Sequence, residues 1–398
     1  MITPEIIKSY ALKNAQEHQG QAQAGAVIAG LFNHGLKKET IKDYIAHINQ
    51  IIAQVNLLSV EEQETQFSKL QKNIGKRKTR EGLPSLKGAK QKKVIMRFAP
   101  SPSGPMHIGH AITASLSYLY TQKYHGTFYL RVEDTNPENI YEPAYQMLKD
   151  EANWLFNKKA KYLIQSQRMP LYYKYVEKFL AKNKVYVCTC SQDEFKNYTE
   201  QKKNCPCRLK KDHKARWKKM LDKKGYNPGQ AVLRFKTSMQ HKNPAFRDFP
   251  LARINLSPHP LQKNKYRVWP LMNLAVTVDD IEQKMTHIIR AKDHHDNARK
   301  QKLMFKALKK KYPHSYFLGR IHLKDMELST SQMRKDITAG LYTGWDDQRL
   351  FTIQSLKKQG YKPVAFHKLA QQIGINQVDK IIDKKEFLLL LKNFNDDK

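Results

Sequence analysis

The sequence lacks any long hydrophobic run. Hydrophobic residues make up 40% of its 398 residues, and none of their runs approaches the roughly 18 to 20 apolar residues that a membrane-spanning helix needs. The first twenty residues also lack the charged, then apolar, then small-residue order of a secretory signal. These absences predict a soluble protein, with the cytoplasm as its default compartment.

Acidic residues are few. The chain has 36 Asp and Glu against 71 Lys and Arg, a formal net charge of +35. Such an excess attracts polyanions at a distance, so nucleic acid is the first partner that we expect. The alternative is a lysine-rich composition whose charges face water and bind no partner.

The chain is longer than one hydrophobic core usually supports, so we expect several structural units. A strand pattern, a loop, a helical pattern and a second strand pattern follow one another from residue 94 to residue 134, the order typical of a parallel nucleotide-binding α/β fold. The predicted divisions are an N-terminal helical domain (1–75), a basic linker (76–93), the first half of a Rossmann-type catalytic domain (94–187), an inserted domain (188–266), the second half of the catalytic domain (267–335) and a helical region (336–398).

Two histidines, His107 and His110, stand three residues apart where the apolar strand pattern and a turn are followed by a helical pattern. The first turn of a helix offers unpaired N–H groups and a partial positive charge, and imidazole N–H groups add directional donors. The pair therefore predicts a site for a phosphate chain, at which Gly109 permits a flat base to approach. Two histidines that only cap a helix are the alternative.

The segment around these histidines, RFAPSPSGPMHIGHA, resembles the HIGH signature of class I aminoacyl-tRNA synthetases. With LRVEDTNP after it, the resemblance is to the glutamyl rather than the glutaminyl branch. The segments VWPLMNLAVTVDD, THIIRAKDH, MELSTSQMRK and GWDDQRL follow in the family's order, and LSTS is typical of archaeal-type members. The resemblance implies ATP-dependent attachment of glutamate to tRNA through a glutamyl adenylate, with Mg²⁺ on the polyphosphate.

The same resemblance assigns residues to the substrates. Those for glutamate are Arg97, Ser101, Glu133 and Arg290, and Arg97 offers a planar fork for the side-chain carboxylate. An edge-strand arginine paired with Glu133 is the structural alternative. Lys292 and Asp293 are weaker candidates. The residues implied for ATP are Pro100, Gly104, His107, Gly109, His110, Ser329 and Ser331.

One motif departs from the family pattern. Glu327 and Thr330 stand where the usual KMSKS loop has its two lysines. The cation for the leaving pyrophosphate must then come from elsewhere, and Arg334 and Lys335 are the nearest candidates. A loop that only caps the helix begun by QMRKDI is the alternative, and both interpretations can hold together.

All four cysteines, Cys188, Cys190, Cys205 and Cys207, form two C-x-C pairs fourteen residues apart. Four thiolates suit tetrahedral zinc, and the pattern resembles a zinc element of some glutamyl enzymes. Disulfides are the alternative, which a reducing compartment disfavours. Residues 202–224 carry eleven Lys or Arg, with Arg216, Trp217 and Tyr226 nearby, so we expect this insertion to grip the acceptor end of tRNA.

Archaeal and eukaryotic members of this branch normally continue into β-barrels that recognise the anticodon, and we expect this chain to lack them. A separate protein that supplies that domain, with FLLLLKNF (387–394) as its docking surface, is one hypothesis. The alternatives to a working glutamate enzyme are a tRNA-binding relative without catalysis, a glutaminyl-type enzyme and a nucleotidylyltransferase with the same fold. Whether glutamine tRNA is also charged stays open.

Overall fold

The computed structural model describes residues 2–75, 82–324 and 328–396. The chain divides into two compact units, Met1–Gly82 and Leu83–Lys398. The described part of the first unit is helical. Its helices are α1 (Pro4–Glu17), α2 (Ala24–Leu31), α3 (Ile41–Asn56) and α4 (Val60–Leu70).

Local sequence signals account for the helices of the first unit. Ser59 and Glu62 form a capping box at the start of α4, in which each side chain accepts the other residue's backbone N–H. The three-and-four spacing of Ile48, Ile51 and Ile52 puts all three side chains on the buried face of α3. Part of the predicted basic linker, residues 76–81, lies outside the described residues.

The second unit begins with alternating strands and helices and then adds a second group of strands. Its first elements are β1 (Ile95–Phe98), α5 (Ile108–Lys123), β2 (Thr127–Val132), α6 (Ala144–Leu155), β3 (Lys161–Ile164), α7 (Met169–Ala181), β4 (Val185–Cys188), α8 (Gln192–Glu200), α9 (His213–Leu221), β5 (Val232–Phe235) and β6 (Pro250–Ile254). The later elements are β7 (Val268–Pro270), α10 (Met272–Glu282), β8 (His287–Ala291), α11 (His295–Ala307), β9 (His314–Leu318), β10 (Ile321–Leu323), α12 (Thr330–Thr338), α13 (Ile353–Lys358), α14 (Pro363–Ile373), β11 (Lys380–Ile382) and α15 (Lys384–Asp396).

Parallel strands form the centre of the second unit. Strands β1, β2 and β3 pair in that order, and β8 pairs with β9. The N–H of Thr286, just before β8, donates to the carbonyl of Ile95 on β1 at 3.0 Å, so the two groups of strands are neighbours. Helices α5 and α11 connect parallel strands, as in a nucleotide-binding sheet. The predicted Rossmann-type α/β class is confirmed.

A separate antiparallel sheet interrupts the parallel one. Its strands follow the order β4-β5-β6-β7. Helices α7 and α9 contribute Tyr172, Phe179 and Trp217 to the core that covers it. Because β4 and β7 are both members, the sheet includes residues on either side of the predicted insertion, 188–266.

The segment after β7 differs from its predicted structure. We expected strand-like runs throughout VWPLMNLAVTVDD, but only Val268–Pro270 is a strand, and Met272–Glu282 forms helix α10. Every residue from Leu274 to Asp280 on that helix is buried. A helix buried on all sides shows no amphipathic period, so an apolar run of this length cannot be told from a strand by spacing alone.

The C-terminal region is helical, as predicted, with one exception. Strand β11 pairs in parallel with β10 near the nucleotide-sized cleft described below. The N–H of Ile108 donates to the carbonyl of Phe351, and the N–H of Ile353 donates to the carbonyl of Met106. The C-terminal region therefore also fixes the loop before α5. Of the described helices, none combines the length and the apolar character that crossing a bilayer requires.

Candidate active site

The two histidines of the first motif stack at the start of α5. His107 is the N-cap, and its Nδ1 accepts the N–H of Gly109 at 3.1 Å. The rings of His107 and His110 lie 3.7 Å apart between centroids, at an interplanar angle of 27°. Because Nδ1 of His107 accepts a hydrogen bond, its proton belongs on Nε2, which can donate to a ligand.

Burial keeps both imidazoles neutral. Burial, with a smaller contribution from His110, lowers the pKa of His107 well below its ordinary value. Burial lowers the pKa of His110 to about 4. At neutral pH the pair therefore supplies hydrogen-bond donors without positive charge, beside the unpaired N–H groups of a helix start.

A cleft of about 700 Å³ opens in front of this pair. It lies where β8 and β9 end, at the carboxyl edge of the parallel strands, which is where ligands bind in open α/β sheets. Its lining includes His107, Gly109, His110, Arg320, His322 and Ser329. The cleft is large enough for a nucleotide, and the start of α5 forms part of its wall.

The LSTS loop packs against the first motif. Ser329 caps α12 by accepting the N–H of Gln332 at 3.3 Å, so the capping interpretation holds. A Cβ added to Gly104 would lie 2.4 Å from Cγ2 of Thr330 and 2.8 Å from Cη2 of Trp345. Only glycine permits this approach. Ser331 is exposed, and Glu327 lies outside the described residues.

The two basic residues expected to replace the missing lysines lie on α12. The guanidinium of Arg334 is 5.7 Å from the ring centroid of Tyr141, and Lys335 is exposed. In the described part of the chain, neither belongs to the cleft lining, whereas Arg320 and His322 do. Nε of Arg320 is 2.6 Å from Asp293, one of the two weaker candidates, and Lys292 is 2.6 Å from Asp379.

Arg97 already has a carboxylate partner. Its Nε and Nη2 lie 3.2 and 3.3 Å from the two oxygens of Asp280, a side-on pair, and Arg131 approaches Oδ1 of Asp280 at 2.6 Å. Burial favours the neutral acid, yet Arg97 and Arg131 together keep the pKa of Asp280 below its ordinary value. Much of the fork that we assigned to glutamate is therefore engaged within the protein.

Glu133 and Ser101 flank this network. One oxygen of Glu133 is 3.2 Å from Nη2 of Arg131, rather than from Arg97 as the structural alternative supposed. The N–H of Glu133 donates to the carbonyl of Pro100 at 2.9 Å, which joins the two motifs. Ser101 is exposed next to this junction.

Arg290 is a buried arginine whose side-chain partner is a neutral amide. Its side chain is held by Gln301, whose Oε1 accepts from Nη1 at 3.0 Å, and its Nε has no hydrogen-bond partner among the described residues. Burial, and then the nearby charge of Arg97, lowers the pKa of Arg290 to about 10. The group stays protonated at neutral pH, so it is a buried positive charge that an anionic ligand would stabilise.

Comparisons with known proteins agree with this geometry. The family described as "tRNA synthetases class I (E and Q), catalytic domain" matches residues 93–393. The glutamate–tRNA ligase of Methanobrevibacter smithii is 39% identical over 395 residues, covering 98% of this chain and 70% of its own. That of Methanocaldococcus jannaschii is 39% identical over 378 residues, covering 94% and 68%. The chain belongs to the glutamate–tRNA ligase family.

The solved structures support the same fold. The glutamate–tRNA synthetase of Elizabethkingia anophelis aligns with a TM-score of 0.54 at 20% identity, covering 75% of this chain and 70% of that one. The predicted reaction of this glutamate–tRNA ligase family member, ATP-dependent attachment of glutamate to tRNA, is confirmed by its relatives, and tRNA is its substrate.

In this ligase the four cysteines come together between β4 and the segment after α8. Their sulfur atoms all lie within 4.8 Å of one another, with Sγ–Sγ distances of 3.5 Å (Cys188–Cys205), 3.2 Å (Cys190–Cys205) and 3.8 Å (Cys190–Cys207). Tetrahedral Zn–S bonds of about 2.3 Å place sulfurs about 3.8 Å apart.

The lysine-rich insertion of the ligase differs in one respect from its prediction. Lys214, Lys218 and their neighbouring lysines are exposed, as a nucleic-acid surface requires. Trp217, however, is buried in the core beneath the antiparallel sheet, so it is not available to stack on a base. Arg216 pairs with Asp212 at 2.9 Å.

Sequence reasoning missed several side chains that shape the site. Asp280 holds Arg97 and Arg131, and Gln301 holds Arg290. Asp280 and Arg131 are polar residues inside apolar patterns, whereas Gln301 stands in a polar stretch and gave no signal. Adjacent acids at the end of such a run are candidates for buried partners of arginine. Arg320 and His322 gave no signal, because exposed basic residues are common in this chain.

Proposed function

We propose that the cleft at the start of α5 forms glutamyl adenylate and that the same site passes the glutamyl group to tRNA. An oxygen of the glutamate α-carboxylate attacks the α-phosphorus of ATP, and pyrophosphate leaves. The 3′-terminal ribose hydroxyl then attacks the activated carbonyl, and AMP leaves. The neutral, stacked pair His107 and His110 at a helix start carries this proposal, because preorganised donors stabilise charge that develops on phosphate oxygens.

The ATP subsite that we propose follows the motif positions. Gly109 and Ser329 line the cleft, where Gly109 allows close approach of the nucleotide. Pro100 and Gly104 stay predictions, because Gly104 packs against Thr330 and Trp345. Ser331 stays a prediction. Mg²⁺, which the family's use of ATP implies, neutralises the polyphosphate when it is bound. For the pyrophosphate we keep Arg334 and Lys335 as predictions and add Arg320 and His322, which line the cleft.

The glutamate subsite is proposed around Arg290. A buried cation held by a neutral amide suits the side-chain carboxylate of glutamate, and a neutral glutamine would leave that cation unpaired. Arg97 contributes through its remaining donor. The free oxygen of Glu133 suits the α-ammonium group, with exposed Ser101 beside it.

We further propose that the four cysteines bind structural zinc. The short Sγ–Sγ distances, all within 4.8 Å, support it. Metal analysis of the purified protein should give about one zinc per chain, and Cys190→Ser should lower this stoichiometry and the tRNA affinity. Metal-free protein with four titratable thiols and full tRNA affinity would contradict the proposal. The control is Ser191→Ala, next in sequence but without a thiol.

The divisions of the chain, its location and its partners are proposals as well. We propose the predicted order of domains, with the insertion extended to the whole antiparallel sheet from β4 to β7, the acceptor end of tRNA as the ligand of the 202–224 surface, and the cytoplasm, where thiolates stay reduced. A separate protein for anticodon recognition stays a prediction. Its proposed docking segment, 387–394, is largely a core helix, because Phe387 and Leu391 are fully buried and only Leu389 of its leucines is exposed. A fully active, strictly monomeric enzyme in a native-mass measurement would rule that partner out.

The test of catalysis is ATP–pyrophosphate exchange with glutamate or glutamine, with and without tRNA. We expect exchange with glutamate, and a fall of about 100-fold to 1,000-fold in His110→Ala. His47→Ala, an exposed histidine of α3, is the matched control and should keep full activity. Exchange in none of these conditions would leave a tRNA-binding protein without catalysis.

A further inference from the structure

The side chain of Gln301 is completely buried on α11 and bonded at both ends. Its Oε1 accepts from Nη1 of Arg290 at 3.0 Å, and its Nε2 donates to Oδ1 of Asn273 on α10 at 3.2 Å. Asn273 in turn donates to Asn297 at 3.2 Å. This chain of amides fixes which end of Gln301 faces the guanidinium, because an amide NH₂ cannot accept from it.

The other buried arginines of the network are held differently. Arg97 and Arg131 both bond the carboxylate of Asp280, and charge-assisted pairs of this kind are stronger than a bond to an amide. At Arg290, the weaker, neutral partner is present instead. Among the described residues, no carboxylate forms an ion pair with Arg290, so its charge is oriented but not cancelled.

We propose that Gln301 is a specificity-determining positioning residue, which orients Arg290 while leaving its charge free for the side-chain carboxylate of glutamate. The proposal rests on the proposed contact between Arg290 and glutamate. A carboxylate at position 301 would fill the same space and accept the same hydrogen bond, but it would occupy the cation before the substrate arrives. A purely structural role would show itself in the free energy of unfolding, because the exchange also removes the donor to Oδ1 of Asn273, but it would not raise the KM for glutamate alone.

The test is Gln301→Glu, assayed by aminoacylation of tRNA with saturating ATP. We expect the KM for glutamate to rise about 100-fold, with kcat and the KM for ATP within about threefold. The preference for glutamate over glutamine should fall. The matched control is Gln283→Glu: Gln283 is also buried, and its amide oxygen accepts from Arg131 at 3.2 Å. Arg131 is already paired with Asp280, so the control should change the KM for glutamate by less than about threefold.

Three outcomes separate the possibilities. A folded Gln301→Glu protein with an unchanged KM for glutamate overturns the proposal. If that variant does not fold, Gln301→Met replaces it: loss of the acceptor should raise the KM for glutamate about tenfold, and an unchanged KM overturns the proposal. Arg290→Met tests the proposed contact between Arg290 and glutamate, on which the role of Gln301 rests. An unchanged KM for glutamate in that variant would overturn the proposed role of Arg290 itself.

Discussion

At the scale of single residues, substitutions of Arg97 and Arg290 should change different properties. Loss of Arg97 should mainly lower the stability of the fold, and loss of Arg290 should mainly weaken the binding of glutamate. Arg97→Met leaves Asp280 with one arginine fewer, so we expect the free energy of unfolding to fall by about 3 kcal/mol. Arg290→Met removes a buried cation that has only an amide partner. Its unfolding free energy should change by less than about 1 kcal/mol, while the KM for glutamate rises about 100-fold. Urea unfolding and steady-state kinetics check both, and equal losses of stability would contradict this division.

Glu151 makes the free energy of unfolding depend on pH. It is buried on α6, and its Oε2 accepts the N–H of Met106, the residue before His107, at 2.7 Å. Burial raises the pKa of Glu151 to about 8. The folded state thus holds this proton more tightly than the unfolded chain, whose glutamate pKa is about 4.3. The resulting stabilisation is complete below about pH 4 and is lost as the pH rises towards 8.

As the pH rises from 5 to 8, the free energy of unfolding should therefore fall less in Glu151→Gln than in the native protein. The difference between the two should be a few kcal/mol. The amide oxygen of the variant can still accept the N–H of Met106. Denaturant unfolding at several pH values measures the difference, with exposed Glu142→Gln as the control. Identical pH profiles for Glu151→Gln and the native protein would show that Glu151 is not buried as a neutral acid.

At the scale of elements, the contact between the first motif and the LSTS loop is a single glycine. Gly104→Ala would bring a Cβ to 2.4 Å from Thr330, so the loop must shift. We expect kcat to fall about 10-fold to 100-fold and the unfolding free energy to fall by about 1 to 3 kcal/mol. Gly25→Ala on α2, where a Cβ meets nothing within 4 Å, is the control. Unchanged kcat in Gly104→Ala would contradict a catalytic role for this contact.

Some helices and strands could be predicted from the sequence, and others could not. Helix α5, strand β1 and strand β2 follow from patterns that are local and periodic. Helix α10 does not, because both of its faces are buried and its apolar run has no period. Strand β11 is three residues long and exists because β10 lies beside it. Such pairings depend on residues far apart in sequence, which local propensity cannot predict.

For the whole molecule, the motifs and their order predicted the fold class and the reaction, and their assignment of residues to the site stays a prediction. The motifs did not predict how those residues pair. Arg97 and Asp280 are 183 positions apart, and only the tertiary fold brings them together. Motif position therefore made Arg290 a candidate site residue, but the contrast between its amide partner and the carboxylate partner of Arg97 required the structure.

The net charge of +35 makes a prediction for the whole molecule as well. The KM for tRNA should rise steeply with salt, because bound lysines release the counterions of the phosphates. Replacing exposed Lys214 and Lys218 by Ala should lower the slope of log KM against log salt by about 2, close to 1 for each lysine. Exposed Lys158 and Lys159 serve as controls. An equal loss of slope in both pairs would show that the charge acts without a defined surface.

We propose that this chain selects glutamate by a buried cation and joins it to tRNA with ATP. The most direct measurement is the formation of glutamyl-tRNA and glutaminyl-tRNA by the purified protein, followed together with AMP release. We expect glutamyl-tRNA and AMP in equal amounts, a preference for glutamate over glutamine of at least about 100-fold, and loss of that preference in Arg290→Met. Equal charging of the two amino acids, or no glutamyl-tRNA at all, would contradict it.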